Sequence, residues 1–431
     1  MKMEEGAKKE ETGELKEFFS NGLYHLPKSR ALVMDPVRVL NAFYTNFRVS
    51  PSMYYCRSFE SISHGEKPVS ESRRKRKRKR RPYALNEREL AAEMRHQEAR
   101  PFLLDAHKAL LEEIDFMSIL PSLKRNGCPT NGIESLSNAE QVTEPSFVEL
   151  GHLWQAPYYE ISLRFRDQST PSEDFTGAEP IQYCKEVSMS LFNNLVSNWT
   201  DDDMKAQFLD NLYILPRKCR FHMSDLRQIH HLIPASSDDG FNLIVIDPPW
   251  ENRNVHTKSV QVLNSLFGWF VIQMVKKLAH SEGALVALWV TNREKLRVFV
   301  EKELLPAWGV NQETIFYWLK IKEDGSLLSD LDLIHHRPYE CLVLGYTQGK
   351  GGNFCDQQKY TPLKGDQVVI SIPGDHSRKP PIGNLLTNHV PGPLPARCLE
   401  LFARELMAGW TSWGNEPLRF QHSRFFLSKK C

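Results

Sequence analysis

Residues 241–250 read FNLIVIDPPW, and this stretch decides the fold. Its first six residues are apolar except for Asn242, a pattern that is typical of a short strand buried on both faces of a sheet. The run ends on Asp247, two prolines and Trp250. Ligands of open α/β sheets bind beyond the carboxyl ends of the strands, so a carboxylate followed by a rigid turn at this point indicates a ligand site.

The chain on the carboxyl side of this stretch repeats the same pattern. Further short apolar runs follow, and helix-like stretches such as REKLRVFVEKELLPAW separate them. This alternation predicts an α/β domain whose sheet is covered on both faces, and we assign it to residues 201–431. Its predicted strands are FNLIVI, GALVALWV, TIFYWLKI, YECLVLGY, QVVISI and RCLELFA.

The first 200 residues are less regular. We predict a partly disordered amino-terminal region over 1–70, a basic linker over 71–82 and an accessory module over 83–200, which either recruits substrate or is purely structural. Within the module, Pro101 is expected to separate two helices, and SMSLFNNLVSNW is expected to be helical. The aromatic and β-branched residues of FVELGHLWQAPYYEISLRF indicate strands.

The linker contains a dense block of positive charge, RRKRKRKRR, at Arg73–Arg81. The whole chain has a net charge of +2, so the rest of the chain carries −7. Nine like charges cannot pack into a core and should be exposed. We predict a nuclear localisation signal that binds the import machinery through residues 72–82, and therefore a nuclear protein that could also occur in the cytosol. Contact with nucleic acid is compatible with the same charge.

Cysteine usage and hydropathy restrict the class further. The eight cysteines form no CxxC pair and no Cys/His set at zinc-finger spacing, so neither a disulfide framework nor a structural metal is expected. No stretch approaches the roughly 18 consecutive apolar residues of a membrane span. We expect an intracellular, monomeric protein without membrane contact.

The DPPW turn suggests a particular chemistry. Asp247 offers a carboxylate that only accepts hydrogen bonds, and Pro248 and Pro249 lack N–H groups but keep their carbonyls, with φ fixed near −65°. Trp250 adds a flat face that can stack on a base. A carboxylate oxygen and the Pro248 carbonyl can each accept one N–H of an amino group on adenine or cytosine and aim its lone pair at an electrophile. The alternative is a plain helix-initiating turn, with Asp as the cap and Pro at the first position.

At this point the sequence resembles a known family, the DPPW-type N6-adenine methyltransferases, to which the eukaryotic messenger-RNA N6-adenosine writer belongs. The resemblance covers roughly residues 215–420. After DPPW come GALVALWVTNRE, HHRPYECLVLG, HSRKP and LELFARELMAGWTSWGNE, in the order in which the family has its matching segments. The catalytic strand thus precedes the cofactor strand, which implies a Rossmann-like methyltransferase domain with permuted motif order.

The resemblance also implies a cofactor and a set of site residues. The cofactor is S-adenosyl-L-methionine, and the catalytic turn is Asp247 to Trp250. Glu340 and Trp250 are expected to contact the substrate. The expected cofactor contacts are Asp247, Lys379, Glu400, Arg404, Asn415 and Glu416. We assign no catalytic role to His256, His335, His336 or His376, because loop histidines are more often solvated side chains.

Two features depart from the family pattern. The segment ENRNVHTKSVQVLNSLFGWF after DPPW has no tyrosine, where the family has a tyrosine-containing gate, so base gating is expected to differ. Glu416 replaces the usual glutamine. Asp247, Lys379, Arg404 and Asn415 are retained, which favours an active enzyme over the alternative of a catalytically silent nucleic-acid scaffold.

Within the family, PPIGNLL, ELFARELMAGWTSWGNE and LRFQH are most similar to the branch of methyltransferase-like protein four. That branch is associated with internal N6 methylation of 2′-O-methyladenosine in small nuclear RNA. We therefore expect N6 methylation of adenine in RNA, because unpaired bases reach a pocket without the cost of opening a duplex. DNA is the alternative substrate.

Overall fold

A computed structural model describes residues 14–56, 85–124, 146–166, 184–250, 272–334, 336–349, 360–375 and 378–429. The predicted basic linker and the segment that follows Trp250 lie outside the described residues, as do His256, His335 and His376. Among the helices of the described ranges, none is both long and apolar enough to cross a membrane.

An eleven-stranded mixed sheet dominates the structure, with the strand order β1-β2-β14-β12-β13-β11-β10-β15-β16-β9-β6. The strands are β1 Leu23–His25, β2 Ala31–Met34, β3 Phe47–Val49, β4 Glu160–Arg166, β5 Cys184–Ser190, β6 Leu195–Ser197, β7 Met204–Phe208, β8 Asn211–Leu215, β9 Arg220–Met223, β10 Leu243–Ile246, β11 Leu285–Val290, β12 Val310–Lys320, β13 Tyr339–Thr347, β14 Val368–Ser371, β15 Cys398–Leu401, β16 Thr411–Gly414 and β17 Phe426–Ser428. All six predicted strands of the carboxyl-terminal half are present, which confirms the α/β class.

Strand direction brings distant segments to one edge of this sheet. Strand β10 lies parallel to both β11 and β15, and β16 and β9 continue the parallel run. Strand β13 is antiparallel to its neighbours β11 and β12. The beginning of β13 therefore lies at the same edge as the carboxyl ends of β10, β11, β12 and β15. A site at this edge can combine residues from all five strands.

The sheet is buried on both faces, as the apolar runs predict. All four residues of β10 are buried and alternate between two core clusters: Leu243 and Val245 join one cluster, and Ile244 joins the other. Asn242, the polar residue in this apolar run, forms hydrogen bonds with a neighbouring loop. Its buried side chain donates to the Pro391 and Pro393 carbonyls, both at 3.0 Å, and accepts from the Arg397 backbone N–H at 2.6 Å.

The helices correct one prediction. Pro101 does not separate two helices, because it lies inside a continuous helix, Glu87–Glu112, that begins with a capping box at Asn86. Burial of residues such as Leu103 and Leu110 against the main core offsets the backbone hydrogen bond that the proline removes. Other α-helices cover residues 14–21, Pro36–Asn41, Pro51–Tyr54, Ile114–Ile119, Phe147–His152, Ile272–Leu278, Glu294–Phe299, Leu305–Trp308 and Gly383–Leu386, with a π-helical turn at Val300–Leu304.

A smaller antiparallel sheet, ordered β5-β4-β7-β8, has its own core cluster. The prediction of a helix at SMSLFNNLVSNW was wrong, since these residues form the end of β5 and all of β6. The segment beginning at Phe147 was predicted as strands and contains the helix Phe147–His152 before β4. The smaller sheet uses strands from both sides of residue 200, where the sequence suggested a domain boundary.

The amino-terminal region contributes directly to the large sheet. Strand β2 pairs in parallel with β14, and β1 pairs with β2 at the edge. Strand β3 pairs with β17, the last strand of the chain. The amino-terminal segment and the carboxyl-terminal half therefore share one core.

Candidate active site

The DPPW turn is fixed by hydrogen bonds to the strands on both sides of β10. The Asp247 N–H donates to the Leu401 carbonyl at 3.2 Å, which extends the pairing with β15 by one residue. The Pro248 carbonyl accepts from the Trp250 N–H at 2.8 Å and closes a tight turn. The Trp250 Nε1 donates to the Trp289 carbonyl on β11 at 2.7 Å. These contacts hold the Asp247 side chain at the carboxyl edge of the sheet.

An alternating series of charges surrounds Asp247. The Lys379 Nζ lies 3.0 Å from Asp247 Oδ1 and 3.3 Å from Glu340 Oε2. The Lys320 Nζ, at the end of β12, lies 2.5 Å from Glu340 Oε1. On the other side, Arg404 Nη2 is 3.7 Å from Asp247 Oδ2. These five residues come from five separate segments of the sequence, and the fold brings them together.

Within this network, neighbouring charges favour the charged forms of Glu340 and Lys379. Burial alone would raise the pKa of Glu340, but Lys379 and Lys320 lower it to about 2. Burial alone would lower the pKa of Lys379, but Asp247 and Glu340 raise it above its ordinary value. Lys379 is therefore a fixed cation between two carboxylates.

Glu400 has different surroundings from the other carboxylates. It lies on β15 opposite Val245 and lines the cleft. Burial raises the pKa of the Glu400 carboxyl to about 8, the neighbouring Asp247 adds to the effect, and Arg404 opposes it. Within the described part of the chain, Glu400 makes no hydrogen bond, so its oxygens are available to a ligand that brings hydroxyl donors.

A cleft that is partly open to solvent lies at this edge of the sheet. Four predicted residues line it, namely Asp247, Lys379, Glu400 and Arg404. The remaining lining includes Trp289, Arg378, Phe402, Glu405, Met407, Trp410 and Phe420, none of which the sequence singled out.

Several predicted site residues lie outside the lining of this cleft. Asn415 is exposed, and Glu416 is paired with Arg419 at 2.8 Å, although both follow β16 at the correct edge. The Trp250 ring packs against the core cluster that contains Ile246. In the turn itself, Pro248 is buried, whereas Pro249 is exposed. His336 is exposed and lies outside the cleft lining.

Two of the charged site residues that the sequence analysis missed, Lys320 and Arg378, had a weak signal. Lys320 is the last residue of β12 and the second-to-last residue of the predicted strand TIFYWLKI, and ligand-edge residues are expected at such strand ends. Arg378 directly precedes Lys379 in the HSRKP segment. A third feature, Phe402 with φ of 63°, had no signal, because left-handed backbone is uncommon for a bulky residue and depends on the surrounding fold.

The residues of the cleft fit S-adenosylmethionine. Glu400 is placed to accept hydrogen bonds from ribose hydroxyls, and Lys379 and Arg404 can pair with a carboxylate. Trp289 and Phe402 supply apolar and aromatic surface. The fold and the site together define an S-adenosylmethionine-dependent methyltransferase.

Comparison with known proteins specifies the class. Residues 241–416 match the family model described as MT-A70. The N(6)-adenine-specific methyltransferase METTL4 of Mus musculus is 31% identical over 362 residues, which cover 82% of this chain and 71% of the mouse protein. The N6-methyladenosine RNA methyltransferase MTA1 of Pyricularia oryzae is 30% identical over 217 residues, covering 48% and 55% of the two chains. The DNA N6-methyl methyltransferase of Caenorhabditis elegans is 30% identical over 271 residues, covering 60% and 69%.

The chain belongs to the MT-A70 family of N6-adenine methyltransferases. Its domain is Rossmann-like, its methyl donor is S-adenosyl-L-methionine, and its substrate class is adenine in nucleic acid. This confirms the family, the cofactor and the enzymatic class that the sequence motifs predicted.

Proposed function

We propose that this enzyme methylates N6 of adenosine in RNA, and that its preferred nucleotide is an internal 2′-O-methyladenosine of small nuclear RNA. The choice of an unpaired substrate rests on how deeply the hydrogen-bond acceptor Asp247 is buried. The Asp247 side chain is only 13% exposed and lies beside buried strands. An adenine inside a duplex cannot reach such an acceptor unless it leaves the stack, whereas an unpaired adenine reaches it without that cost.

The site residues support transfer to an exocyclic amine. The Asp247 carboxylate can accept one N–H of the adenine N6 amine, and the second lone pair of the Pro248 carbonyl can accept the other. Bound S-adenosylmethionine would supply the methyl group, since cleavage of its S–CH3 bond would release S-adenosylhomocysteine. As the new N–C bond forms, N6 gives up one proton, for which the Asp247 carboxylate is an acceptor. Lys379 and Arg404 hold that carboxylate in place.

The named activities of the relatives support two substrates. The MTA1 protein is named for RNA, and the Caenorhabditis elegans protein is named for DNA. DNA is therefore the second candidate. Family membership, together with the retained Asp247 and Lys379, argues against a silent scaffold.

A direct comparison of substrates tests the proposal. Radiolabelled cofactor and the purified enzyme are incubated with single-stranded RNA and DNA oligonucleotides of one sequence, with and without a 2′-O-methyl on the target adenosine. Mass spectrometry of the nucleosides identifies the product. We expect labelling of RNA that is stronger when the 2′-O-methyl is present. Labelling of DNA alone would establish the second candidate instead.

We further propose that the enzyme is a nuclear monomer. The basic run at 73–81, which lies outside the described residues, supports import, and residues 72–82 are the proposed contact with the import machinery. A fluorescent fusion with all nine basic residues replaced by alanine should lose nuclear enrichment. Unchanged nuclear enrichment would reject the localisation signal.

The monomeric state is tested separately. Size-exclusion chromatography with light scattering should give a mass near 49.8 kDa. A doubled mass would reject the monomer.

A further inference from the structure

Arg378, the residue before Lys379, is held more firmly than a surface arginine. Its side chain is 3% exposed and forms an ion pair with Glu405. Its guanidinium carbon lies 4.3 Å from the ring centroid of Tyr54 and 4.4 Å from that of Phe420. A guanidinium between two aromatic rings, with a carboxylate in the plane of its donors, has few alternative positions.

Tyr54 comes from the amino-terminal segment, at the end of the helix Pro51–Tyr54. The same ring packs against the backbone of Gly374, since a Cβ at that position would lie 2.9 Å from the Tyr54 Cε1. Tyr54 therefore contacts the chain that leads to Lys379 at two points, four residues apart. These contacts join residues more than 300 positions apart in the sequence.

We propose that Tyr54, Arg378 and Glu405 form a clamp that positions Lys379, so that the amino-terminal segment is a working part of the cofactor site. Arg378 and Glu405 both line the cleft, so the clamp is one of its walls. Tyr54 lies outside the 241–416 match to the family model, and its role cannot be inferred from that match.

The position of Lys379 is the reason why the clamp matters. Its Nζ lies within 3.0 Å of Asp247 and 3.3 Å of Glu340, and both distances depend on the path of the preceding residue. Displacement of a positioning group by about 1 Å can reduce activity about 100-fold. The buried pair also penalises such a displacement, because separation of Arg378 from Glu405 leaves two uncompensated charges in the interior.

Three tyrosine variants test the clamp. Tyr54→Leu removes the stacking ring, Tyr54→Phe retains it, and Tyr24→Leu removes a buried tyrosine of the same amino-terminal segment that stacks on Phe116 instead. We expect Tyr54→Leu to raise the Kd and the KM for S-adenosylmethionine about tenfold, with kcat at saturating cofactor reduced less than about threefold. Tyr54→Phe should restore cofactor affinity to within about twofold of wild type.

Titration calorimetry and steady-state kinetics separate the outcomes. A merely structural tyrosine would lower the fraction of active enzyme and leave the KM for the cofactor unchanged. If Tyr24→Leu raises this KM as much as Tyr54→Leu, or if Tyr54→Leu leaves it unchanged, the clamp is rejected.

A second pair of variants applies if Tyr54→Leu does not fold. Arg378→Lys keeps the charge but loses the planar fork and the stacking, whereas Arg337→Lys makes the same change at a buried arginine that pairs with Glu93 outside the cleft. We expect the KM for S-adenosylmethionine to rise about tenfold in Arg378→Lys and to stay within about twofold in Arg337→Lys. An unchanged KM in folded Arg378→Lys overturns the proposal.

Discussion

Asp247 combines two functions in one side chain. It is the carboxylate acceptor of the DPPW turn, and it also forms ion pairs with Lys379 and Arg404. Replacement by asparagine keeps the shape and one acceptor oxygen but removes the charge. We predict that Asp247→Asn lowers kcat by about 100-fold or more, as is typical when a preorganised acceptor of a transition state is lost. Transfer of radiolabelled methyl groups to oligonucleotide measures this effect.

A matched variant excludes a general effect of charge. Asp239→Asn removes an exposed carboxylate that pairs with Arg397 on the same domain, and it should leave kcat within about twofold. Both variants should melt within a few degrees of the wild type. Near-wild-type turnover by Asp247→Asn would rule out the role assigned to its charge.

Glu400 should make stability dependent on pH. Burial, reinforced by Asp247, raises its pKa from 4.5 to about 8, so the folded protein keeps a proton that the unfolded chain has already released. The free energy of unfolding should therefore fall as pH rises from about 4.5 to about 8. Glu400→Gln lacks this proton equilibrium. We predict that its melting temperature, relative to that of the wild type, increases steadily across this window.

Scanning calorimetry of the two proteins without cofactor, at about pH 5, 6.5 and 8, measures the difference. Glu416→Gln serves as the control, since it makes the same substitution at a carboxylate outside the cleft lining. A constant difference in melting temperature between wild type and Glu400→Gln across this range would show that Glu400 titrates normally.

Single residues differ in how far the sequence could predict them. Asp247, Lys379, Glu400 and Arg404 were predicted because ordered motifs carry them, and the structure brings them to one cleft. Tyr54 was not predictable in this way. Its role depends on a contact with Arg378 across more than 300 residues, and no local pattern encodes such a contact.

Among the elements, the helix Glu87–Glu112 carries an internal proline at an exposed position. Proline in a helix interior costs about 3 kcal/mol relative to alanine, since it removes a hydrogen bond and its ring crowds the preceding turn. We predict that Pro101→Ala raises the free energy of unfolding by about 1–3 kcal/mol without a change in methyl transfer. Denaturant titration followed by circular dichroism measures this change.

Asp105→Ala is the matched control, because Asp105 is another exposed position inside the same helix. The change there should lie within about 0.5 kcal/mol. A destabilised Pro101→Ala protein would mean that the helix needs the bend imposed by its proline.

Strands with continuous apolar runs were predicted well, and mixed segments were not. Periodicity alone does not distinguish a short buried helix from a strand, and SMSLFNNLVSNW is such a case. Its first residues pair along β4, and Leu195–Ser197 pair with β9. Pairing with β4 and β9, rather than the local sequence pattern, determines that these residues form strands.

The whole molecule depends on its amino-terminal segment. Strand β2 pairs with β14, and residues such as Tyr24 and Tyr54 belong to the same core cluster as Val245 and Trp289. We predict that a protein starting at residue 85 does not bind S-adenosylmethionine and is largely insoluble, because it exposes the edge of β14 and part of its core. Soluble yield and calorimetric titration measure both effects.

Co-expression of residues 1–56 as a separate chain provides the control. If the missing strands and Tyr54 explain the defect, this peptide should restore soluble protein and cofactor binding in part. A soluble truncated protein that binds the cofactor with wild-type affinity would contradict both this prediction and the clamp.

The architecture as a whole was predictable only to the level of its class. Alternating apolar runs and helices predicted the α/β sheet, and motif order predicted that DPPW and LELFAR lie on separate strands. The sequence did not indicate that β10 and β15 are neighbours or that β13 runs in the opposite direction, because an apolar run has no direction. The positions of Lys320 and Glu340 follow from that direction.

The reversed direction of β13 also determines at which edge of the sheet the connection from β13 to β14 starts and ends. Strand β13 ends at Thr347 and β14 begins at Val368, and both points lie at the edge of the sheet opposite the cleft. A biotin-acceptor peptide inserted between Gly349 and Tyr360 would therefore be attached at the edge of the sheet opposite the cleft. Enzyme captured on a sensor surface through that peptide would present its cleft to the solution.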